Sequence, residues 1–162
     1  MFSADVYGSW QKIQKEKFSE MKRMLGPLAQ QIFHKKLVLD VGCGSGYLER
    51  SFEGSFIGID TDVNMLHGAG FSRVRGDGSL MPFGDESFDS VVSIDAMHLI
   101  EGSDFIRVLK PGGLAMLSIF FNDENYQERK AMLREKTKGL EVIMEMDITG
   151  CEKEYVLVAV KR

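Results

Sequence analysis

The chain has 162 residues, 44% of them apolar and 27% charged, and a net charge of −4. That is the ordinary soluble globular balance, long enough to bury a substantial core, and one domain over 1–162 is expected. Two isolated cysteines exclude a disulfide scaffold and a zinc site, and no apolar run reaches the roughly 20 residues of a membrane span. With no leader pattern at its start, the chain is expected to be soluble and cytoplasmic, with no bound metal.

Residues 10–25 place Trp10, Ile13, Lys17/Phe18, Met21 and Met24/Leu25 at steps of three and four. This predicts an amphipathic helix with a basic outer face, ended by Gly26-Pro27 and followed by a short helix over 28–33. The run 37–41 is apolar and β-branched, a strand, and 47–50 starts a helix. A second strand covers 52–60, with a short helix at 63–67 and a third strand at 73–75. Residues 88–94 are apolar enough for a central strand. A helix ends at 105–109, stopped by Lys110-Pro111-Gly112-Gly113, before a strand over 114–121. Residues 123–138 read as a helix with Asp123 as a cap, and 141–146 and 155–161 as a closing hairpin. Strands alternating with helices predict an α/β, doubly wound, mostly parallel sheet in three αβα layers. The hairpin adds an antiparallel strand.

Between the first strand and its helix lies Gly42-Cys43-Gly44-Ser45-Gly46. Glycines here remove side chains and permit positive φ, so a ligand can lie against the backbone, and N–H groups at the helix start suit an anionic group. The spacing selects among cofactors. A dinucleotide fingerprint would need glycine at 47, where this chain has Tyr47, so the nicotinamide reading is weakened without being excluded; a Walker loop is absent. Asp60 ends the second strand 18 residues after Gly42, where an acid can accept both ribose hydroxyls or cap the next turn. Charge is uneven too: residues 1–37 carry +4, 38–106 carry −9 and 107–162 carry +1. The acidic block holds the glycine loop and favours a cationic ligand.

Four stretches occur in order: Leu39-Asp40-Val41-Gly42-Cys43-Gly44-Ser45-Gly46, Gly58-Ile59-Asp60, Gly76-Asp77-Gly78 running on to Phe88-Asp89, and Val108-Leu109-Lys110-Pro111-Gly112-Gly113. With them the sequence resembles a class I S-adenosylmethionine-dependent methyltransferase, of the broad subgroup that includes quinone and sterol methyltransferases. The resemblance implies a Rossmann-like, seven-stranded sheet with one antiparallel strand, and a core over 37–162. It implies S-adenosylmethionine as cofactor and S-adenosylhomocysteine as product. Gly42, Gly44 and Gly46 would meet the methionine part, with Asp40 fixing that end. Asp60 would hold the ribose, Thr61 would lie by the adenine, and Asp77 with Gly78 would bind the adenine amino group. Asp95 would line the mouth. His98, where relatives often carry histidine, is the weak catalytic candidate, with a packed structural role as its alternative. Relatives often fold an N-terminal segment over the cofactor, so 1–36 is expected to be a helical lid carrying Tyr7 and Trp10, which could equally be hydrophobic anchors. The segment 61–76 is short, so the helix there is trimmed. Residues 93–96, Ser-Ile-Asp-Ala, lack the Asn-Pro-Pro-Tyr pattern of adenine-modifying relatives. The expected acceptor is a small molecule, methylated at O, N or C. The alternatives are an RNA or protein methyltransferase working with a partner subunit, and a non-catalytic cofactor-binding module.

Overall fold

The computed structural model describes residues 4–67 and 70–162, with side chains from residue 9 onward. Two helices open the chain, α1 (Ala4–Leu25) and α2 (Pro27–Phe33), followed by β1 (Leu37–Val41) and the brief α3 (Tyr47–Ser51). Then come β2 (Ser55–Asp60), β3 (Ser72–Arg75), β4 (Phe88–Ile94), a 3-10 turn at Met97–Leu99 and the single-turn α4 (Phe105–Val108). The strand β5 (Leu109–Phe120), the helix α5 (Tyr126–Lys136) and the hairpin β6 (Glu141–Thr149) and β7 (Lys153–Val160) complete the order. The seven strands form one sheet in the order β3-β2-β1-β4-β5-β7-β6. β7 pairs antiparallel with both neighbours, and the other pairings are parallel. This is the predicted Rossmann-like α/β sheet.

Burial on both faces explains the apolar strands, because alternate residues point to opposite sides. On one face Val38, Met116, Val156 and Val158 pack with Phe18, Met21 and Leu25 of α1 and with Ile32 and Phe33 of α2. On the other, Leu39, Leu117, Tyr155 and Leu157 pack with Phe105 of α4 and Leu133 of α5. Phe33 stacks on Phe52 at 4.2 Å, so α2 is fixed to the end of α3.

Four local expectations are corrected. The helix expected at 63–67 is a pair of turns: Asp62 Oδ1 accepts the Asn64 N–H, and Met65 N and Leu66 N donate to Asp62 O and Val63 O. An aspartate that captures a backbone N–H two residues on competes with helix. The helix over 123–138 begins at Tyr126, and the turn before it is built by Asn122 and Asn125, while Asp123 pairs with Lys153 Nζ at 2.6 Å. Lys110-Pro111-Gly112-Gly113 does not simply stop a helix. It lies inside β5, whose pairing with β4 shifts between Phe88 and Ser90, and Gly112 N donates to Lys161 O at 2.6 Å. The second strand starts at Ser55, leaving Phe52 as a core residue.

Met21 is fully buried between α1 and the sheet. Met21→Ala should cost about 2–5 kcal/mol of stability in urea unfolding. A loss far below that range would mean that α1 is only loosely applied to the sheet.

Candidate functional site

The C-terminal ends of β1, β2 and β4 converge where the connections after β1 and β4 leave toward opposite faces, the place where such sheets hold ligands. Local geometry there is set by the glycine loop. Gly42, Gly44 and Gly46 take φ of 77°, 51° and 86°. Gly42 N and Cys43 N both donate to Ile59 O, at 2.8 and 3.3 Å, which docks the loop on β2. A Cβ on Gly42 would stand 2.3 Å from the Ala96 Cβ, and one on Gly78 would stand 2.9 Å from Val41 Cγ1 and Ile100 Cδ1. These two glycines therefore serve close approach, whereas Gly44 faces open space and serves its backbone angle. The helix that follows, α3, has only five residues, so its dipole is small and the loop backbone is the better anion partner.

Asp60 ties the loop to its neighbour. Its Oδ2 accepts the Gly44 N–H and its Oδ1 accepts the Asp62 N–H, both at 2.9 Å. Each oxygen keeps a lone pair for a hydroxyl donor. Asp77 is exposed; its Oδ1 accepts the Ser79 N–H at 2.8 Å, and this bond with a second from the Ser79 side chain holds its carboxyl below the usual range.

Two adjoining cavities occupy this edge. One, of about 310 Å³, is bordered by Asp40, the loop residues Gly42 to Ser45, Trp10, Lys17 and Asp95. The other, of about 220 Å³, is bordered by Asp60, Thr61, Asp77, Gly78, Asp95, Leu99 and Ile100. The first joins the loop backbone and the acids Asp40, Asp95 and Glu152 to apolar side chains such as Trp10, Phe18 and Leu48. The second offers apolar side chains beside three acids, as a flat base joined to a sugar requires.

Of the residues expected from sequence, Asp40, Gly42, Gly44, Asp60, Thr61, Asp77, Gly78, Asp95 and Trp10 border these cavities. Gly46 lies just behind, against Arg73 and Phe71. Trp10 packs edge-on against Tyr47 at 4.9 Å. The Tyr7 side chain lies outside the described residues. His98 is exposed on the 3-10 turn and borders neither cavity.

Two charged clusters were missed. Lys17, whose side chain is 3% exposed, places Nζ 3.0 Å from Asp95, 3.4 Å from Glu152 and 3.7 Å from Glu154. Burial opposes its charge, but the three acids outweigh that and hold its pKa above the ordinary lysine value. Three carboxylates exceed what one ammonium can balance. Glu154, fully buried, is the one pushed up by burial, to about 8, although Lys17 and the Ser118 hydroxyl oppose this. The sequence signal was Lys17 itself, a lysine on the apolar stripe of its helix. The second cluster lies beneath the loop, where Asp40 and Glu49 are both raised, chiefly by burial. Beside them burial pushes the Cys43 thiol up to about 12, so it is inert as a nucleophile at neutral pH.

Comparison with known proteins bears on this arrangement. A family model described as "Methyltransferase domain" matches residues 39–117, the stretch that supplies the loop, Asp60, Asp77 and Asp95. That stretch, just under half of the chain, is similar to methyltransferase domains. Proteins of this family use S-adenosylmethionine. An uncharacterized methyltransferase of Mycobacterium marinum is 36% identical over 98 residues, covering 51% of this chain and 38% of that protein. A fatty-acid O-methyltransferase of Mycolicibacterium smegmatis is 35% identical over 102 residues, covering 52% of this chain and 37% of that protein. The chain thus spans well under half the length of the curated relatives it matches. Among solved structures, a chain of the Haloferax volcanii complex between the Trm112 methyltransferase activator and a candidate methyltransferase aligns with TM-score 0.69 and 21% identity over 96% of both chains. The PH0226 protein of Pyrococcus horikoshii aligns with TM-score 0.70 and 18% identity over 90% of this chain and 91% of that one. These likenesses establish the fold. Among the described residues no helix is long and apolar enough to cross a membrane, and no cluster has the makings of a metal site.

Two outcomes are expected. Gly42→Ala should lower stability and abolish ligand retention, read by thermal unfolding and calorimetry, because its Cβ would overlap Ala96 at positive φ. Glu154 binds its proton more tightly folded than unfolded, so its contribution favours the fold at low pH and fades as pH climbs from about 4.5 to about 8. Glu154→Gln should remove that decline, at most about 1.4 kcal/mol per pH unit, in unfolding curves compared with wild type across this window.

Proposed function

We propose that this chain is an S-adenosylmethionine-dependent methyltransferase that moves a methyl group to an oxygen, nitrogen or carbon of a small-molecule acceptor. One observation carries the proposal: two adjoining cavities meet at the C-terminal edge, bordered by residues of the first three of the ordered motifs. The chemistry of the lining fits the cofactor. Asp40 and the backbone of Gly42 and Gly44 would hold the amino-acid end, Asp60 would accept the ribose hydroxyls, and Thr61, Asp77 and Gly78 would border the adenine. Leu99 and Ile100 supply the apolar wall that a base needs. The local excess of acid suits a ligand of net positive charge.

When bound, S-adenosylmethionine supplies a methyl group already activated on a positive sulfur. The work left to the protein is alignment and exclusion of water. Alignment alone can lower a barrier by roughly 7–11 kcal/mol. Trp10, Gln14, Lys17 and Phe18 of α1 border the cavity next to the loop, which supports reading this helix as a lid. Of the groups at these cavities, Cys43 holds its proton and Asp95 is committed to Lys17, which leaves neither as a general base. That favours acceptors that ionise readily or need no deprotonation. A fatty-acid O-methyltransferase among the relatives acts on such a group, a carboxylic acid.

The second reading is an RNA or protein methyltransferase completed by a partner subunit. The full-length likeness to a chain of the Trm112 activator complex supports it. Co-purification of a protein or RNA that stimulates turnover would favour this reading, and turnover by the isolated chain on a small acceptor would sink it. A non-catalytic role is the third, and detection of S-adenosylhomocysteine production with any acceptor eliminates it.

Calorimetry with S-adenosylmethionine and with NAD tests the cofactor reading. Binding of the former alone is expected, and binding of NAD alone would overturn it. Asp60→Ala should weaken S-adenosylmethionine binding by about tenfold or more, through loss of ribose contacts and of the Gly44 anchor.

A further inference from the structure

The two cavities meet along one short seam. Gly42, Ile94 and Asp95 border both of them, and only Asp95 carries a charge. On the cofactor reading above, on which this inference rests, the amino-acid end lies by Asp40 and the nucleoside end by Asp60 and Asp77. Sulfur joins those two ends, so it falls at the seam.

Asp95 is firmly fixed there. Its backbone takes φ 55°, a conformation that non-glycine residues rarely adopt outside Asn and Asp. Its N–H donates to Ser118 O at 3.0 Å, its Oδ1 accepts the Phe120 N–H at 2.5 Å, and its Oδ2 accepts from Lys17 Nζ at 3.0 Å. The charge around it is unbalanced. With Glu154 holding its proton, Asp95 and Glu152 face the single Lys17 ammonium, and the cluster keeps one net negative charge. Gln14 also reaches Glu152, at 3.4 Å, and adds none.

We infer that Asp95, positioned by Lys17, is the counter-charge to the cofactor's sulfonium and makes this site favour the methyl donor over the demethylated product. Donor and product differ by one methyl group and one positive charge. The cluster's residual negative charge is matched by the sulfonium and left unmatched by a neutral thioether. A residue that served only to shape the cavity would treat the two ligands alike. The same asymmetry loosens the product once the methyl group has left.

The experiment is the ratio of dissociation constants for S-adenosylmethionine and S-adenosylhomocysteine, measured by calorimetry on the full chain. Asp95→Asn keeps the size of the side chain and tolerates the left-handed backbone. It should weaken the donor about tenfold while the product changes by less than about threefold. Glu152→Gln, which borders only the first cavity, should move the ratio the same way by about threefold and decides the matter if Asp95→Asn does not fold. Asp77→Asn, at the nucleoside end, should weaken both ligands alike. Equal weakening of donor and product by Asp95→Asn, or an unmoved ratio in Glu152→Gln, overturns the proposal. A wild-type chain that binds neither ligand overturns the cofactor reading itself, and this inference with it.

Discussion

The ammonium of Lys17, almost wholly withdrawn from water among Asp95, Glu152 and Glu154, ties together three parts of the chain that are remote in sequence. It belongs to α1, while its partners follow β4 and lead into β7. A buried charge is tolerated only when paired, so removing it would leave acids stranded in the interior and not merely loosen a surface contact. Through this one group the helix that covers the cavity next to the glycine loop is registered to the sheet. The hydrophobic contacts of Phe18 and Met21 press α1 onto the core, but apolar packing is non-directional. The ion cluster supplies the direction, and it sets which residues of α1, Trp10 and Gln14 among them, face the cavity.

Asp60 does for the loop what Lys17 does for the helix. By accepting N–H groups from Gly44 and Asp62 it joins the segment after β1 to the segment after β2. The backbone approaches that Gly42 and Gly78 permit then hold both connections close to β4. Ligand-facing groups are thus arranged before any ligand arrives, which reduces the ordering cost of binding.

Much of this was legible in the sequence, for physical reasons. Strands buried on both faces must be apolar throughout, so β1, β4, β5 and β7 announced themselves, and the glycine spacing weakened the dinucleotide reading without excluding it. What stayed hidden depended on partners far along the chain. Nothing near Glu154 tells of Lys17, which is 137 residues away, and only the placement of a lysine on an apolar stripe hinted at a buried charge. Asp40 is expected as a cofactor residue, but the influence of Glu49 on its carboxyl needs the proximity of β1 and α3. The turns at 63–66 were lost to local competition: Asp62 prefers the Asn64 N–H, and apolar spacing cannot register that preference. Helix α5 was misjudged at its start because Asn122 and Asn125 bond each other's backbone, while Asp123 turns outward to Lys153.

The sheet is open, and its two outer strands differ in how they meet water. β3 is four residues long, too short to template a further strand well. β6 runs for nine residues and exposes Val142 and Ile143, the kind of edge that recruits neighbouring chains into aggregates. Its register with β7 breaks between Val142 and Met144, at the most apolar point, and Glu141, Glu145 and Asp147 line the rest. A strand approaching that edge would meet a kinked ladder at its most apolar point, a poor template for further pairing, at the end of the strands opposite the site.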